Sequence, residues 1–469
     1  MANSEAEKKV NIGATLKLAF GTADHASTSR RRLIGIAQGI ASGLASRFVG
    51  MLVSFLSVPL TIGYLGQERY GVWILLSSLL AWLRLADLGI GNGLLNSIAT
   101  ALGSERPDLV RAHISTAFMF LTAISAVVGV AVIIIWPWLD WAALFGVRGA
   151  DARAEVGPAI AAAMTIFLLN FPLSVIGTSF NAFQEGRLAN YWGMAGNLAS
   201  LLVLFIVTRT NGGLVLLVAA VSGVVMVVSA ISGIWLFKFH KPTLAPQLRA
   251  VRSSSMKGLM RVGVPFFLIQ IMALIVFQTH NIFVGHFLGA SDVPTYSLTY
   301  NLFGYTSLIQ SIGFTYVWVA YADAIARGDV DWVKRIFKYN LAFSLGSTFV
   351  AAVPLVFIAR PFIRLWTRGA VEPPEDLVLW MAGWSMINAY CSPIACLLAA
   401  ASHMKAQLAY SGLAVVANVF LSIYLIRAWG ISGVIAGTDI AYILFICIPI
   451  LIDAIFLIGK LGARRRRVV

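Results

Sequence analysis

LIGIAQGIASGLASRFVGMLVSFLSVPLTIGYL, residues 33–65, is a long apolar segment, and GVWILLSSLLAWLRLADLGIGNGLLNSIATA, residues 71–101, follows it after a five-residue turn. Each exceeds the roughly 20 apolar residues that a helix needs to cross a bilayer. Each carries an arginine near its middle, Arg47 in the first and Arg84 in the second. A charge at the bilayer centre costs about 2.5–3.5 kcal/mol, so two of them indicate a use or a local partner. An anion that must cross the membrane would supply that use.

The composition of the chain identifies an integral membrane protein. Its 469 residues are 59% hydrophobic and 12% charged, and the mean hydropathy is +0.83. Soluble domains have about 25% charged residues, so a soluble enzyme is excluded. The formal net charge of +15 is better explained by basic cytoplasmic loops than by a nucleic-acid partner.

Apolar segments fill almost the whole chain and predict an all-α polytopic membrane protein with twelve transmembrane helices. Most connections are shorter than ten residues, which favours antiparallel neighbours. The predicted spans are 34–63, 71–101, 112–136, 157–181, 187–208, 213–237, 259–288, 293–322, 334–358, 376–401, 406–426 and 432–458.

A basic break divides these spans into six and six. Residues 238–258 would form a basic cytoplasmic linker between an N-terminal lobe at 34–237 and a C-terminal lobe at 259–458. Residues 1–33 would form a cytoplasmic N-terminal segment and residues 459–469 a basic cytoplasmic tail. Two repeats of this kind usually enclose a central site near the bilayer midplane.

The distribution of basic residues orients the chain. With the N-terminus inside, the inner segments carry 25 Lys or Arg residues and the outer loops carry 8. This bias predicts that both termini are cytoplasmic.

Both central arginines lie on polar helix faces. By helical periodicity, Arg47 shares a face with Ser54, Ser57 and Thr61, which could line water. Arg47 has no acidic residue one turn away, whereas Arg84 has Asp87 at i, i+3 and could be held locally. Arg47 is therefore the better ligand candidate.

Predicted spans seven and eight are unusually polar. Hydroxyls, amides and aromatic rings together suit a sugar, and interhelical hydrogen bonds are the alternative explanation. Together with Ser54, Ser57 and Asp87 of the first two spans, the cavity-lining candidates are Gln270, Gln278, His280, Asn281, Tyr296, Tyr300, Asn301, Tyr305 and Gln310.

Asp439 is an acidic residue inside predicted span twelve, next to Thr438, and Asn418 lies on span eleven. An intramembrane carboxylate is a candidate proton or cation site, and a partner arginine on another span is the competing explanation.

Several enzyme signatures are missing from the sequence. It contains neither Gly-x4-Gly-Lys-Ser/Thr nor His-Glu-x2-His, so ATP hydrolysis by a P-loop and a zinc hydrolase site are not indicated. The predicted outer loops are also short for a membrane glycan polymerase or ligase. We expect a protein that is not an enzyme, with no metal and no cofactor.

Three motifs resemble the N-terminal hairpin of Wzx-type polysaccharide transporters, the flippases of lipid-linked oligosaccharides. They are Ser46-Arg47-x2-Gly50, Tyr64-Leu65-Gly66-x-Glu68-x-Tyr70-Gly71 and Asp87-Leu88-Gly89-Ile90. The superfamily also contains multidrug extruders and the lipid II flippase. The resemblance implies two six-helix lobes around a cavity that opens alternately to each side.

The resemblance also implies a substrate and its ligands. Cavity arginines would hold the diphosphate of a polyprenyl-linked glycan. Arg47 matches the arginine of the superfamily's first span, and Arg84 matches the second-span arginine in approximate position. Some relatives have a sodium site, to which Asn418, Thr438 and Asp439 could correspond, although the usual acid of span seven is missing here.

The resulting hypothesis is a multi-pass flippase of the bacterial inner membrane. It would move lipid-linked oligosaccharide from the cytoplasmic to the outer leaflet for exopolysaccharide, capsule or O-antigen synthesis, with possible coupling to protons or sodium. Its partners would be membrane lipids and polysaccharide polymerase and export proteins. A multidrug extruder is the main alternative, and two central arginines argue against its cationic substrates. A membrane glycan polymerase or ligase is the weaker alternative.

Overall fold

The computed structural model describes residues 23–103, 106–307, 327–401 and 405–465, together with positions 310, 314, 317, 318, 320, 321, 324 and 325. This part of the chain consists of helices and turns and contains no strand. Residues 1–22 of the predicted N-terminal segment and 466–469 of the predicted tail lie outside it.

The N-terminal half consists of long helices with two short ones. In chain order they are α1 (Ala23–Leu83), α2 (Ile90–Gly103), α3 (Pro107–Ile135), α4 (Trp141–Leu144), α5 (Ala150–Asn170), α6 (Ser174–Ala182), α7 (Gly186–Val207) and α8 (Gly213–Ile234). The C-terminal half continues with α9 (Ser253–Phe287), α10 (Val293–Gly304), α11 (Val330–Trp366), α12 (Glu375–Ala400), α13 (Lys405–Trp429), α14 (Ile431–Tyr442) and α15 (Ile448–Arg465).

Eight helical segments among the described residues are long and apolar enough to cross a membrane. One of them, Ala41–Asp87, covers most of the first predicted span and about half of the second. Predicted spans seven, eight and ten fall on α9, on the segment that begins with α10, and on α12. The all-α membrane architecture is thereby confirmed, and the total of twelve spans stays a prediction.

The predicted turn between the first two spans is reduced to one residue. Gly66 has φ 76° and ψ 171° and is the only non-helical residue within α1. A side chain would make this backbone conformation unfavourable, which explains the glycine. The expected five-residue turn is wrong because residues 67–70 are already helical.

Three further helices are interrupted. Between α1 and α2 the chain forms a 3₁₀ turn, Arg84–Asp87, followed by positive φ angles at Leu88 and Gly89. A turn separates α5 from α6, and the π-helix Ile443–Cys447 separates α14 from α15. Such breaks free backbone groups inside a membrane protein and are tolerated where neighbouring helices or a cavity accommodate them.

The second half of α1 and α2 pack along α9, and we call this contact the seam. At one end, a Cβ atom at Gly71 would overlap the carbonyl oxygen of Ala290. In the middle, Asn281 Nδ2 donates to Ser78 Oγ at 3.1 Å. At the other end, Cβ atoms at Gly89 and Gly93 would overlap the backbone of α9. The seam joins elements from the two halves of the chain over most of their length.

The connection between α8 and α9 packs against α3. Its backbone N–H groups at Gln247 and Arg252 donate to Ser115 Oγ at 3.0 Å and to Thr116 Oγ1 at 3.1 Å. Leu244 in the same connection is buried. The predicted basic linker is thus an ordered part of the fold, and the boundaries of the two lobes stay a prediction.

Candidate functional site

Arg47 lies on an exposed face of α1 that runs close to α7. Ideal Cβ positions at Gly43 and Gly50, one helical turn to either side, lie 3.6 Å from Asn190 Nδ2 and 3.4 Å from Asn197 Nδ2. Arg47 also has an interacting neighbour of its own. The guanidinium therefore belongs to a polar strip between two helices of the first half of the chain.

Arg84 is also exposed, and it begins the 3₁₀ turn that follows α1. Asp87 accepts a hydrogen bond from the Gly89 backbone N–H through Oδ1, at 2.7 Å. Among the described side chains no ion pair joins Arg84 to Asp87. Asp87 stabilises the break in the helix, and the local arginine–aspartate pair considered from the sequence is not formed.

On α1, the polar face that Arg47 shares with Ser54, Ser57 and Thr61 becomes more buried towards Gly66. Ser54 is exposed, Ser57 is partly buried and donates to the Val53 carbonyl oxygen at 2.6 Å, and Thr61 is buried. The side chains of this face are therefore accessible near Arg47 and buried near Gly66.

Four candidate residues from separate helices meet in one hydrogen-bonded group. Tyr296 OH lies 2.9 Å from His280 Nδ1, and Thr438 Oγ1 lies 3.0 Å from His280 Nε2. Asn418 Nδ2 donates to Thr438 Oγ1 at 2.7 Å. We call these residues, with the adjacent Asp439, the buried polar cluster.

Asp439 is 1% exposed, and neither carboxylate oxygen has a hydrogen-bond partner among the described residues. No described ion pair includes it either, so the arginine partner considered from the sequence is not found in this part of the chain. Gly383 provides room beside it, since an ideal Cβ there would lie 3.1 Å from Oδ2. A buried carboxylate without donors is costly unless it binds a proton or a cation.

Of the other candidates from predicted spans seven and eight, some make contacts inside the protein and others are exposed or partly buried. Asn281 bonds across the seam, Gln310 is buried and donates to the Ser344 carbonyl oxygen of α11 at 2.9 Å, and Tyr300 stacks on Tyr296 with centroids 6.1 Å apart. Gln270 and Asn301 are exposed, and Gln278 and Tyr305 are partly buried.

The sequence did not reveal how one end of the molecule is closed. We call this the outer end, following the charge-based orientation. Glu68 accepts from the Arg148 backbone N–H at 2.7 Å, and Arg148 Nη2 donates to the Leu288 carbonyl oxygen at 3.1 Å. Gln67 Nε2 donates to the Ser291 carbonyl oxygen at 2.8 Å. The motif Tyr64 to Gly71 was the available signal, and its residues hold the two halves of the chain together.

Three aromatic side chains form a second contact between the two halves of the chain. The Phe55 ring stacks on Trp366 with centroids 4.9 Å apart, and Phe362 packs beside both. Trp366 Nε1 also donates to the Phe55 carbonyl oxygen at 2.9 Å. α1 is thus attached to α11 on the Gly66 side of Arg47.

Solved structures place this architecture among membrane transporters. The TM-score is 0.75 to the inward-facing conformation of a multidrug resistance MATE family transporter of the MOP superfamily, at 13% identity over 89% of this chain and 96% of that chain. It is 0.61 to an outward-facing conformation of a MATE family transporter, at 16% identity over 91% of this chain and 96% of that one. The fold is therefore a MATE-type transporter fold.

The family follows from the sequence itself. Residues 36–321 match the family described as polysaccharide biosynthesis protein, and the chain belongs to that family. A candidate O-antigen transporter from Salmonella typhimurium is 25% identical over 86% of this chain and 92% of its own length. A candidate O-antigen export protein from Yersinia pseudotuberculosis is 22% identical over 69% of this chain and 73% of its own.

Proposed function

We propose that this protein is a flippase that moves a polyprenyl-diphosphate-linked oligosaccharide from the cytoplasmic to the outer leaflet of the bacterial inner membrane. The observation that carries the proposal is the exposure of Arg47 and Arg84 within apolar helices, in a member of the polysaccharide biosynthesis protein family. An exposed guanidinium within a membrane span suits an anionic ligand, and a lipid diphosphate supplies the anion.

The arginines would bind the diphosphate from the cytoplasmic side. A guanidinium forms two parallel hydrogen bonds to phosphate oxygens, which offsets part of their desolvation. The Ser54 and Ser57 hydroxyls on the same face could contact the first sugars, and the prenyl chain would stay in lipid. Closure at Glu68, Arg148 and Leu288 on the outer side is the arrangement that an inward-open state requires.

Translocation would require the outer contacts to open and the opposite side to close. A ligand shifts such an equilibrium only through different affinities for the two states. We propose that the buried polar cluster supplies part of this difference, because Asp439 could take up a proton or a sodium ion in one state and release it in the other. Thr438 and Asn418, hydrogen-bonded to each other at 2.7 Å, would adjust to the bound cation.

Both termini would lie in the cytoplasm, and polysaccharide polymerase and export proteins would receive the glycan on the outer side. The O-antigen relatives favour a surface polysaccharide as the final product.

Reconstitution tests the function directly. Purified protein in proteoliposomes should transfer a fluorescent polyprenyl-diphosphate oligosaccharide between leaflets, scored by a membrane-impermeant quencher. Arg47→Glu should abolish the transfer at equal reconstitution. Transfer that is no faster than in empty liposomes would refute the proposal.

A multidrug extruder is the second candidate, and the MATE-type fold favours it. The same proteoliposomes should therefore be loaded with a cationic dye such as ethidium. Ion-driven dye export without oligosaccharide transfer would replace the flippase proposal.

A further inference from the structure

The turn that joins α11 to α12 encloses a groove of about 1010 Å³ that is separate from Arg47, Arg84 and the buried polar cluster. Three arginines line it, Arg360, Arg364 and Arg368, at intervals of four residues. Glu372 and Glu375 also line it, and the rest of its wall is mostly apolar.

The three arginines of the groove are not equally paired with its two glutamates. Arg360 is held by the Pro373 carbonyl oxygen at 3.1 Å and by ion pairs to Glu372 and Glu375. Arg364 reaches Glu372 only at 3.8 Å, and its side chain is 66% exposed. Arg368 is exposed, and the ion pairs of the described residues do not include it. Because Arg360 occupies the two glutamates, Arg364 and Arg368 leave net positive charge at the rim.

Arg368 occupies an unusual backbone position. Its φ of 56° lies in the left-handed region, directly before Gly369 at φ 83°. A residue other than glycine is disfavoured there, and such positions often coincide with binding sites. The turn is fixed by the Gly369 N–H, which donates to the Arg364 carbonyl oxygen at 2.6 Å. The chain thus carries a guanidinium where glycine would be more stable.

The apolar wall is continuous with the surface of a membrane helix. Phe357 and Leu365, which line the groove, are 77% and 80% exposed and lie on the candidate span Val330–Trp366. Leu379 of α12, 59% exposed, lies on the facing side. Exposed apolar side chains of a spanning helix contact lipid chains. The groove therefore combines an exposed apolar wall with arginines near the end of α11.

We propose that this groove binds the anionic phosphate headgroup of a membrane lipid, with Arg364 and Arg368 on the phosphate and a hydrocarbon chain along Phe357 and Leu365. Arginine suits this role because its planar donors match phosphate oxygens. Basic groups at a membrane surface attract anionic lipids in the same way. The site is independent of the substrate of the central arginines, so it goes beyond the proposed function.

Native mass spectrometry of the full-length protein in neutral detergent tests the proposal. Phosphatidylglycerol should be retained and phosphatidylcholine should not. Arg364→Gln combined with Arg368→Gly should reduce phosphatidylglycerol retention roughly tenfold or more. The matched control is Arg209→Gln combined with Arg427→Gln, two arginines elsewhere on the predicted outer side that lie over the Phe205 and Phe287 rings. This control should retain the lipid.

Competition experiments distinguish a lipid site from a site for free anions. A polyprenyl monophosphate that competes with phosphatidylglycerol would support a lipid-phosphate site, whereas displacement by equimolar inorganic phosphate would overturn it. Equal retention of phosphatidylcholine, or equal loss in the control variant, would also overturn it. Arg368→Gly alone relieves the left-handed backbone and should fold at least as well as the wild type, so a loss of lipid in that variant cannot be attributed to misfolding.

Discussion

Arg47 is the residue on which the transport proposal can be tested most directly, because its removal changes one charge on an exposed helix face. A hydrogen bond to a charged group contributes about 1.5–3 kcal/mol. Arg47→Gln should therefore weaken binding of a polyprenyl diphosphate roughly 10- to 100-fold.

Fluorescence titration of the purified protein with a labelled polyprenyl diphosphate measures this effect. Arg209→Gln, an exposed arginine that lies over the Phe205 ring, is the matched control and should bind normally. Equal affinities of Arg47→Gln and the wild type would remove Arg47 from the site.

Asp439 leads to a prediction about coupling. Asp439→Asn keeps the size of the side chain and removes its negative charge, so the variant should lose stimulation of transport by a proton or sodium gradient. Transport driven by the substrate gradient alone should persist at a similar rate. Proteoliposomes with imposed gradients measure both, and Asp453→Asn in α15 is the control. Undiminished gradient stimulation in Asp439→Asn would exclude this carboxylate as the coupling group.

Single residues also show what the sequence could predict about the site. Asn418, Thr438 and Asp439 were found because polar residues are rare in membrane helices, and the structure brings them close together. The position of His280 between Tyr296 and Thr438 was not predictable, because it depends on how α9 and α10 pack against the distant α14. Gln310 looked equally suitable for a sugar, yet it bonds to α11. Local polarity identifies candidates, and only packing assigns their neighbours.

At the level of helices, the contact between Gly71 and Ala290 should control opening at the outer end. A methyl group at Gly71 would overlap the Ala290 carbonyl oxygen, and overpacking of this kind costs about 1–3 kcal/mol. Gly71→Ala should therefore disfavour the state described here and populate an outward-open state.

Spin labels at positions 67 and 291, which are hydrogen-bonded neighbours in the closed state, would report the change as a longer distance. Gly63→Ala is the matched control, since nothing lies within 4 Å of its Cβ position on the same helix. If both variants give the wild-type distance, the contact does not control opening.

Helix boundaries were predicted less well than the existence of the helices. Predicted span four begins at residue 157, whereas α5 begins at Ala150. The seven additional residues carry three charges but stay helical because the Glu68 carboxylate accepts from the Gly149 N–H at their start, and Arg69 pairs with Asp151 and Glu155. A carboxylate at a helix N-terminus stabilises that end. Hydropathy cannot detect such a distant partner, so the apolar pattern underestimates the helix.

At the level of the whole molecule, the seam and the Phe55 stack predict where the prenyl chain lies. Both contacts join the two halves of the chain and leave no room for a lipid tail. The accessible part of α1 on the other side of Phe55 includes Phe48, which is 67% exposed beside Arg47. We expect the tail to leave the molecule there.

Photo-crosslinking checks this path. A photoreactive phenylalanine analogue at position 48 should crosslink a polyprenyl-diphosphate probe several times more efficiently than one at Val227, an exposed residue of α8. Excess unlabelled substrate should suppress the crosslink at position 48. Equal crosslinking at both positions would mean that the probe only samples bulk lipid.

The glycine contacts of the seam have a mechanical consequence. Where Gly89 meets Gly263 and Gly93 meets Leu259, backbone touches backbone without intervening side chains on the glycine side. Interlocked side chains resist sliding because ridges must leave their grooves, whereas a smooth peptide surface offers little of this friction. At these two glycine contacts, one half of the molecule can therefore turn against the other with little steric resistance, whereas the Asn281–Ser78 hydrogen bond in the middle of the seam would have to break.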